Sequence, residues 1–131
     1  MVKKVKIGWI GAGFVGQVAH LENFTKFNDV EIMSLAEKRP NLRKKVGSSY
    51  NIRNLYENHK QLIKNCNADA IVAIVNRRHT FEVAKDVLQA GFNLFTEKPM
   101  AQNINDALEL VKLAEENSLI YSVGFMKRYD L

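Results

Sequence analysis

Two short stretches hold residue types that can do chemistry: the run Gly11-Ala12-Gly13-Phe14-Val15-Gly16 and the triplet Glu97-Lys98-Pro99. Glycines at this spacing suit a turn that cradles phosphate. Gly11 permits the tight bend, Gly13 keeps side chains out from between backbone and pyrophosphate, and Gly16 lets the following helix pack close. The turn and helix start, with Ala12, Phe14 and Val15, present unpaired N–H groups and a positive dipole end to the same phosphates. In the triplet, Pro99 disfavours helical backbone at Lys98 and so keeps it extended beyond a strand end. An ammonium held there can donate to a substrate hydroxyl, or help proton transfer if burial lowers its pKa, while Glu97 orients it or sets its charge. A turn lysine beside a surface glutamate fits the spacing equally well.

The glycine run has meaning only if it follows a strand and opens a helix. Residues 5–10 read as a strand running into the glycines, and residues 14–27 as a helix. A second strand at 30–36 ends at Glu37, about 20 positions beyond Gly16, where a carboxylate can take the hydroxyls of an adenine ribose. Three turn glycines and a surface glutamate are the plain alternative. Glu37 argues for NAD, because a carboxylate repels a 2′-phosphate. Lys38 and Arg39 follow at once, and Arg39 can hold that phosphate, so NADP stays open.

Further along, Pro40 suits the first turn of a helix carrying Leu42 and Val46, and 51–56 is at best a short strand before a helix near 57–65. Residues 70–75 are an unbroken apolar run, as expected of a strand covered on both faces. A helix over 80–90 with Phe81, Ala84 and Leu88 on one face stops at Gly91. A strand at 92–96 leads to a helix capped by Asn103, whose apolar stripe is read as Ile104, Ala107, Leu108, Val111 and Ala114. Residues 119–125 form the last strand. Strands alternating with helices through short links predict an α/β, Rossmann-like doubly wound parallel sheet with helices on both faces, as one domain over residues 1–131. Ligands of such a sheet lie across the carboxyl ends of its strands, which directs attention to Asn76 and His79 as well as to Lys98.

Composition narrows the function classes. Of 131 residues, 47% are apolar and 25% charged, ordinary for a globular domain, and no stretch is apolar enough to span a bilayer. The net charge of +5 is scattered, without a basic stripe interleaved with aromatics, so no nucleic-acid partner is expected. Cys66 is the lone cysteine, which fits a reducing cytoplasm and is read as a structural residue. No two of the three histidines show ligand spacing, so no metal is expected, and His20 and His59 are read as structural.

Taken together, "GWIGAGFVG", "AEKRP", "ADAIVAIVNRRH", "AGFNLFTEKPMA" and "VGFMKRYD" resemble the N-terminal domain of the Gfo/Idh/MocA oxidoreductases, over nearly the whole chain. The family includes glucose–fructose oxidoreductase and inositol dehydrogenase. The resemblance implies an NAD(P)-dependent enzyme acting on a hydroxyl of a sugar, cyclitol or sugar derivative, and a possible homo-oligomer. It implies that Gly11, Gly13, Gly16 and Glu37 hold the cofactor, that Asn76, His79 and Glu97 lie near the nicotinamide, and that Lys98 is the catalytic lysine. Arg128 either faces the crevice or serves a hinge. Ile74 and Val75 depart from the pattern, standing where the family usually has a threonine and a proline. The family's substrate domain lies beyond the first, so the chain is expected to be the cofactor-binding half, inactive alone. A non-catalytic nucleotide-binding or sensor module is the alternative, and Lys98 discriminates the two.

Overall fold

Unbroken apolar runs and short links dictate the layering. The computed structural model describes residues 3–130. Six strands, β1 (Val5–Ile10), β2 (Val30–Ala36), β3 (Asn54–Tyr56), β4 (Ala70–Ala73), β5 (Asn93–Glu97) and β6 (Tyr121–Gly124), form one sheet in the order β3-β2-β1-β4-β5-β6. Every pairing is parallel. The order reverses between β1 and β4, which is where a doubly wound sheet opens a crevice at its carboxyl edge.

Two cores flank the sheet. One face buries Trp9, Leu21, Leu35, Val46 and Val72 beneath the helical segments at 16–24 and 40–49. The other buries Leu62, Ile71, Val87, Leu88, Leu94 and Leu110 beneath α3 (His59–Asn65), α4 (Arg77–Gln89) and α5 (Ile104–Glu116). Asn58, Asn76 and Asn103 cap these three helices, each accepting a backbone N–H with its side chain. Burying one Leu from these cores is worth about 2 kcal/mol, which makes the layering a strong constraint on the crevice between them.

Three expectations need correction. The first helix is not a regular α-helix over 14–27: a π-helical segment, Gly16–Leu21, runs into one short α-turn, α1 (Glu22–Phe24). The strand read at 70–75 stops at Ala73, because the chain turns at Ile74 and Val75 into the cap of α4, which begins at Arg77 rather than Thr80. The stripe of α5 is also different. Leu110 and Ala114 are buried against α4, whereas Ile104, Leu108 and Val111 form an exposed ridge. Both sets recur at helical spacing, and the contact with α4 selects the first. The remaining helix, α2 (Pro40–Ser49), starts at Pro40 as read.

Candidate functional site

The glycine turn has three separable geometries. Gly11 has φ +90, and a Cβ there would lie 2.1 Å from the Ile74 carbonyl oxygen, so no side chain fits. A Cβ on Gly16 would come within 2.8 Å of the Gly11 carbonyl oxygen, which is the close packing of helix on turn. A Cβ on Gly13 would meet no atom within 4 Å, leaving open space beside that backbone. Helical hydrogen bonding starts with the Gln17 N–H on the Gly13 carbonyl oxygen at 3.0 Å, and the amides ahead of such a start are a ready anion site.

Glu37, just past β2, is only 5% exposed. Its Oε2 accepts the Ala12 N–H at 3.0 Å and Arg39 Nη2 at 3.1 Å; its Oε1 accepts the Arg39 N–H at 3.0 Å and Arg39 Nε at 2.8 Å. Burial alone would push this carboxyl up. The Arg39 side chain, the Arg39 and Ala12 amides and the Arg39 charge outweigh burial and lower the pKa from 4.5 to about 2. Arg43 Nη1 donates to the Glu37 carbonyl oxygen at 2.7 Å and fixes the backbone below.

Ten residues singled out from the sequence, Gly11, Gly13, Phe14, Val15, Gly16, Glu37, Lys38, Arg39, Asn76 and His79, line a single cavity of about 630 Å³ at the carboxyl edge of the sheet. Ala12 is buried behind the turn. Asn76 spends its side-chain oxygen on the Arg78 N–H at 3.0 Å as the cap of α4, and His79 is exposed on the first turn. Ile74 and Val75 also line the cavity.

Glu97 and Lys98 lie at the end of β5, outside that lining. Lys98 is exposed, and its peptide bond to Pro99 is cis. Thr96 before them is fully buried and shares a hydrogen bond with the Tyr121 hydroxyl at 3.0 Å; burial pushes that phenol up.

Several residues escaped the sequence reading. His20 Nε2 lies 2.7 Å from Glu97 Oε1, with its ring edge-on to Phe95 at 5.6 Å, and Glu97 Oε2 accepts the Lys98 N–H at 3.0 Å. Since a carboxylate only accepts, His20 is the donor. The phosphate-side helical segment is thereby tied to the loop that carries Lys98. Glu57, Asn58, His59 and Glu82 extend the cavity past Glu37. His59 Nε2 also meets Asp86 at 2.7 Å, and with Glu82 these groups offer ligand atoms within 4.8 Å of one another; Glu82 and Asp86 stand four apart on α4, and only the arrival of His59 from α3 leaves no local spacing signal. Cys66 is half-buried, and burial pushes its thiol up, which disfavours the reactive thiolate. No helix of the described residues is long and apolar enough to cross a membrane.

Comparison with known proteins bears on the family and the fold. The chain is 24% identical over 126 residues to the myo-inositol 2-dehydrogenase of Thermotoga maritima, covering 96% of this chain and 37% of that enzyme. It is 31% identical over 132 residues to an inositol 2-dehydrogenase/D-chiro-inositol 3-dehydrogenase of Shouchella clausii, again 96% of this chain and 37% of the relative. Among solved structures, myo-inositol 2-dehydrogenase from Lactobacillus plantarum superposes with a TM-score of 0.90 at 27% identity, over 98% of this chain and 38% of the other. A scyllo-inositol dehydrogenase from Lactobacillus casei with bound NAD(H) and scyllo-inositol shares the fold at a TM-score of 0.91 and 22% identity, over 98% and 38% of the two chains. The chain thus spans under two fifths of the length of these proteins. Residues 5–125 match the family described as oxidoreductases with an NAD-binding Rossmann fold, and the chain belongs to that Gfo/Idh/MocA family.

Proposed function

We propose that this chain binds NAD(H) across the glycine turn and Glu37 and is the cofactor-binding half of a dehydrogenase acting on a cyclitol or sugar hydroxyl. The observation that carries the reading is the pairing of open space at Gly13 with a buried, ionised carboxylate at Glu37 on one cavity. The amides from Gly13 to Gly16 would hold the diphosphate, and Glu37, braced by the Ala12 N–H, the adenine ribose. The cofactor, when bound, supplies the nicotinamide carbon that takes or gives the hydride. In this reading Lys98 hydrogen-bonds the substrate hydroxyl and would take up its proton as the hydroxyl carbon gives hydride to the bound cofactor, while Glu97, held by His20, fixes the start of the Lys98 loop. The substrate class rests on the names of the relatives, which are inositol dehydrogenases. Groups from outside this chain complete the substrate pocket, so the chain alone binds cofactor without turnover.

Titration with NADH, followed by nicotinamide fluorescence, tests the cofactor half; absence of binding at millimolar concentration refutes it. Lys98→Met tests the lysine. In the complete enzyme it abolishes most turnover while leaving NADH affinity intact, and full turnover by that variant would favour a non-catalytic nucleotide module instead.

A further inference from the structure

The cofactor reading meets a conflict at Glu37. The carboxylate needed for a ribose diol is already engaged on both oxygens, by the Arg39 guanidinium through Nε and Nη2 and by the amides of Ala12 and Arg39. The two partners differ sharply in exposure. Glu37 is buried, held by those two amides, with its carbonyl anchored by Arg43. The Arg39 side chain is 58% exposed and springs from an extended residue just before Pro40. Withdrawing the guanidinium sacrifices an ion pair with one solvated partner, whereas withdrawing Glu37 would uncap buried amides.

We propose that Arg39 is a two-position specificity residue that lets the adenosine end of this cavity accept both NAD(H) and NADP(H). Parked on Glu37, it neutralises the carboxylate that would repel a 2′-phosphate. Its Nη1, which carries none of the bonds to Glu37, is then a donor for that phosphate, with Lys38 beside it on the cavity wall. Swung into solvent, it uncovers Glu37, still held by the Ala12 and Arg39 amides, for the ribose hydroxyls of NAD(H). The resting geometry therefore suits the phosphorylated cofactor, although an acidic residue at this place taken alone points to NAD.

This inference rests on the dinucleotide reading above, and one set of titrations separates their failures. The chain and its Arg39→Met and Glu37→Gln variants are titrated with NADH and with NADPH at fixed ionic strength, with circular dichroism to verify folding. The unaltered chain binds both. Arg39→Met removes a competitor of the ribose and tightens NADH about threefold, the scale of a half-solvated ion pair. The same change weakens NADPH about tenfold, because a charge-assisted phosphate contact is lost. Glu37→Gln shifts the preference the other way, weakening NADH and sparing or tightening NADPH. Equal shifts of both cofactors in Arg39→Met, no shift of either, or binding of NADH alone by the unaltered chain overturns the two-position role while leaving the dinucleotide reading intact. Binding of neither cofactor overturns both.

Discussion

Glu37 makes acid stability a direct test of the clamp. Its carboxyl falls from 4.5 to about 2 in the folded chain. Because the folded pKa is the lower one, the unfolded chain binds more protons between these values, and stability is lost as pH falls. The contribution is about 3 kcal/mol, fully present at neutral pH, with about 2 kcal/mol of it gone by pH 3. Every other carboxylate titrates in the same range, so the informative quantity is the difference between the chain and Glu37→Gln. Glutamine keeps the shape, carries no charge and does not titrate; its single carbonyl oxygen can accept only one of the Ala12 and Arg39 amides, which now bond different carboxylate oxygens at 3.0 Å, and that loss is the same at every pH. Urea unfolding at pH 7, 5, 4 and 3 gives both curves. The unaltered chain is expected to be the more stable at pH 7, with the gap narrowing by about 2 kcal/mol at pH 3. A gap that stays constant with pH would refute the reasoning, since it would mean that Glu37 titrates alike in folded and unfolded chains.

Other changes separate fold from binding. Gly13→Val places its side chain in open space, so the melting temperature is expected to hold while NADH affinity drops about tenfold or more. Gly16→Ala forces a Cβ to within 2.8 Å of the Gly11 carbonyl oxygen and is expected to cost about 1–3 kcal/mol in urea unfolding, whether or not cofactor is present. His20→Ala removes the donor to Glu97, with an expected loss of about 1 kcal/mol and a shifted amide proton resonance of Lys98, whose N–H bonds the same carboxylate; an unmoved resonance counts against the tie. Leu110→Ala should cost about 2–5 kcal/mol and Leu108→Ala under about 0.5 kcal/mol, although both sit on α5.

The sheet was legible because its signals are local and redundant. The apolar runs at Val5–Ile10 and Ala70–Ala73, separated by helix-length segments, admit few arrangements other than a parallel doubly wound sheet. The glycine turn and Glu37 were legible for the same reason, as each lies at a strand end that the pattern already located. Three features escaped. On α5 two apolar sets have helical periodicity, and only the position of α4 decides which one is buried. The tie between His20 and Glu97 joins residues 77 apart, so no local spacing announces it. The expected helix over residues 14–27 carries no signal of its winding. Gly16 and Leu21 are both buried, yet on an α-helix they would stand about 140° apart. The wider winding of a π-segment brings residues five apart onto one side, placing Gly16 on the turn and Leu21 in the core together.

Ile74 and Val75 show how this wall of the cavity is fixed. The Ile74 N–H still donates to the Ile10 carbonyl oxygen at 2.8 Å, extending the β1–β4 pairing by one bond beyond the end of β4. The Ile74 carbonyl oxygen then points at Gly11, where it forbids any Cβ, so the departing segment of β4 and the glycine turn of β1 constrain each other. Ile74 is buried and Val75 lines the cavity. A proline at residue 75 would fix φ there and disfavour helical backbone at Ile74. Without it, the rigidity of this wall comes from packing: Ile74 into the core beneath the first helical segment, and Asn76 locking the start of α4 through the Arg78 N–H. The wall of the cavity at the switch between β1 and β4 is thus set by side-chain burial and a helix cap, which is why two apolar residues can stand there without opening the crevice.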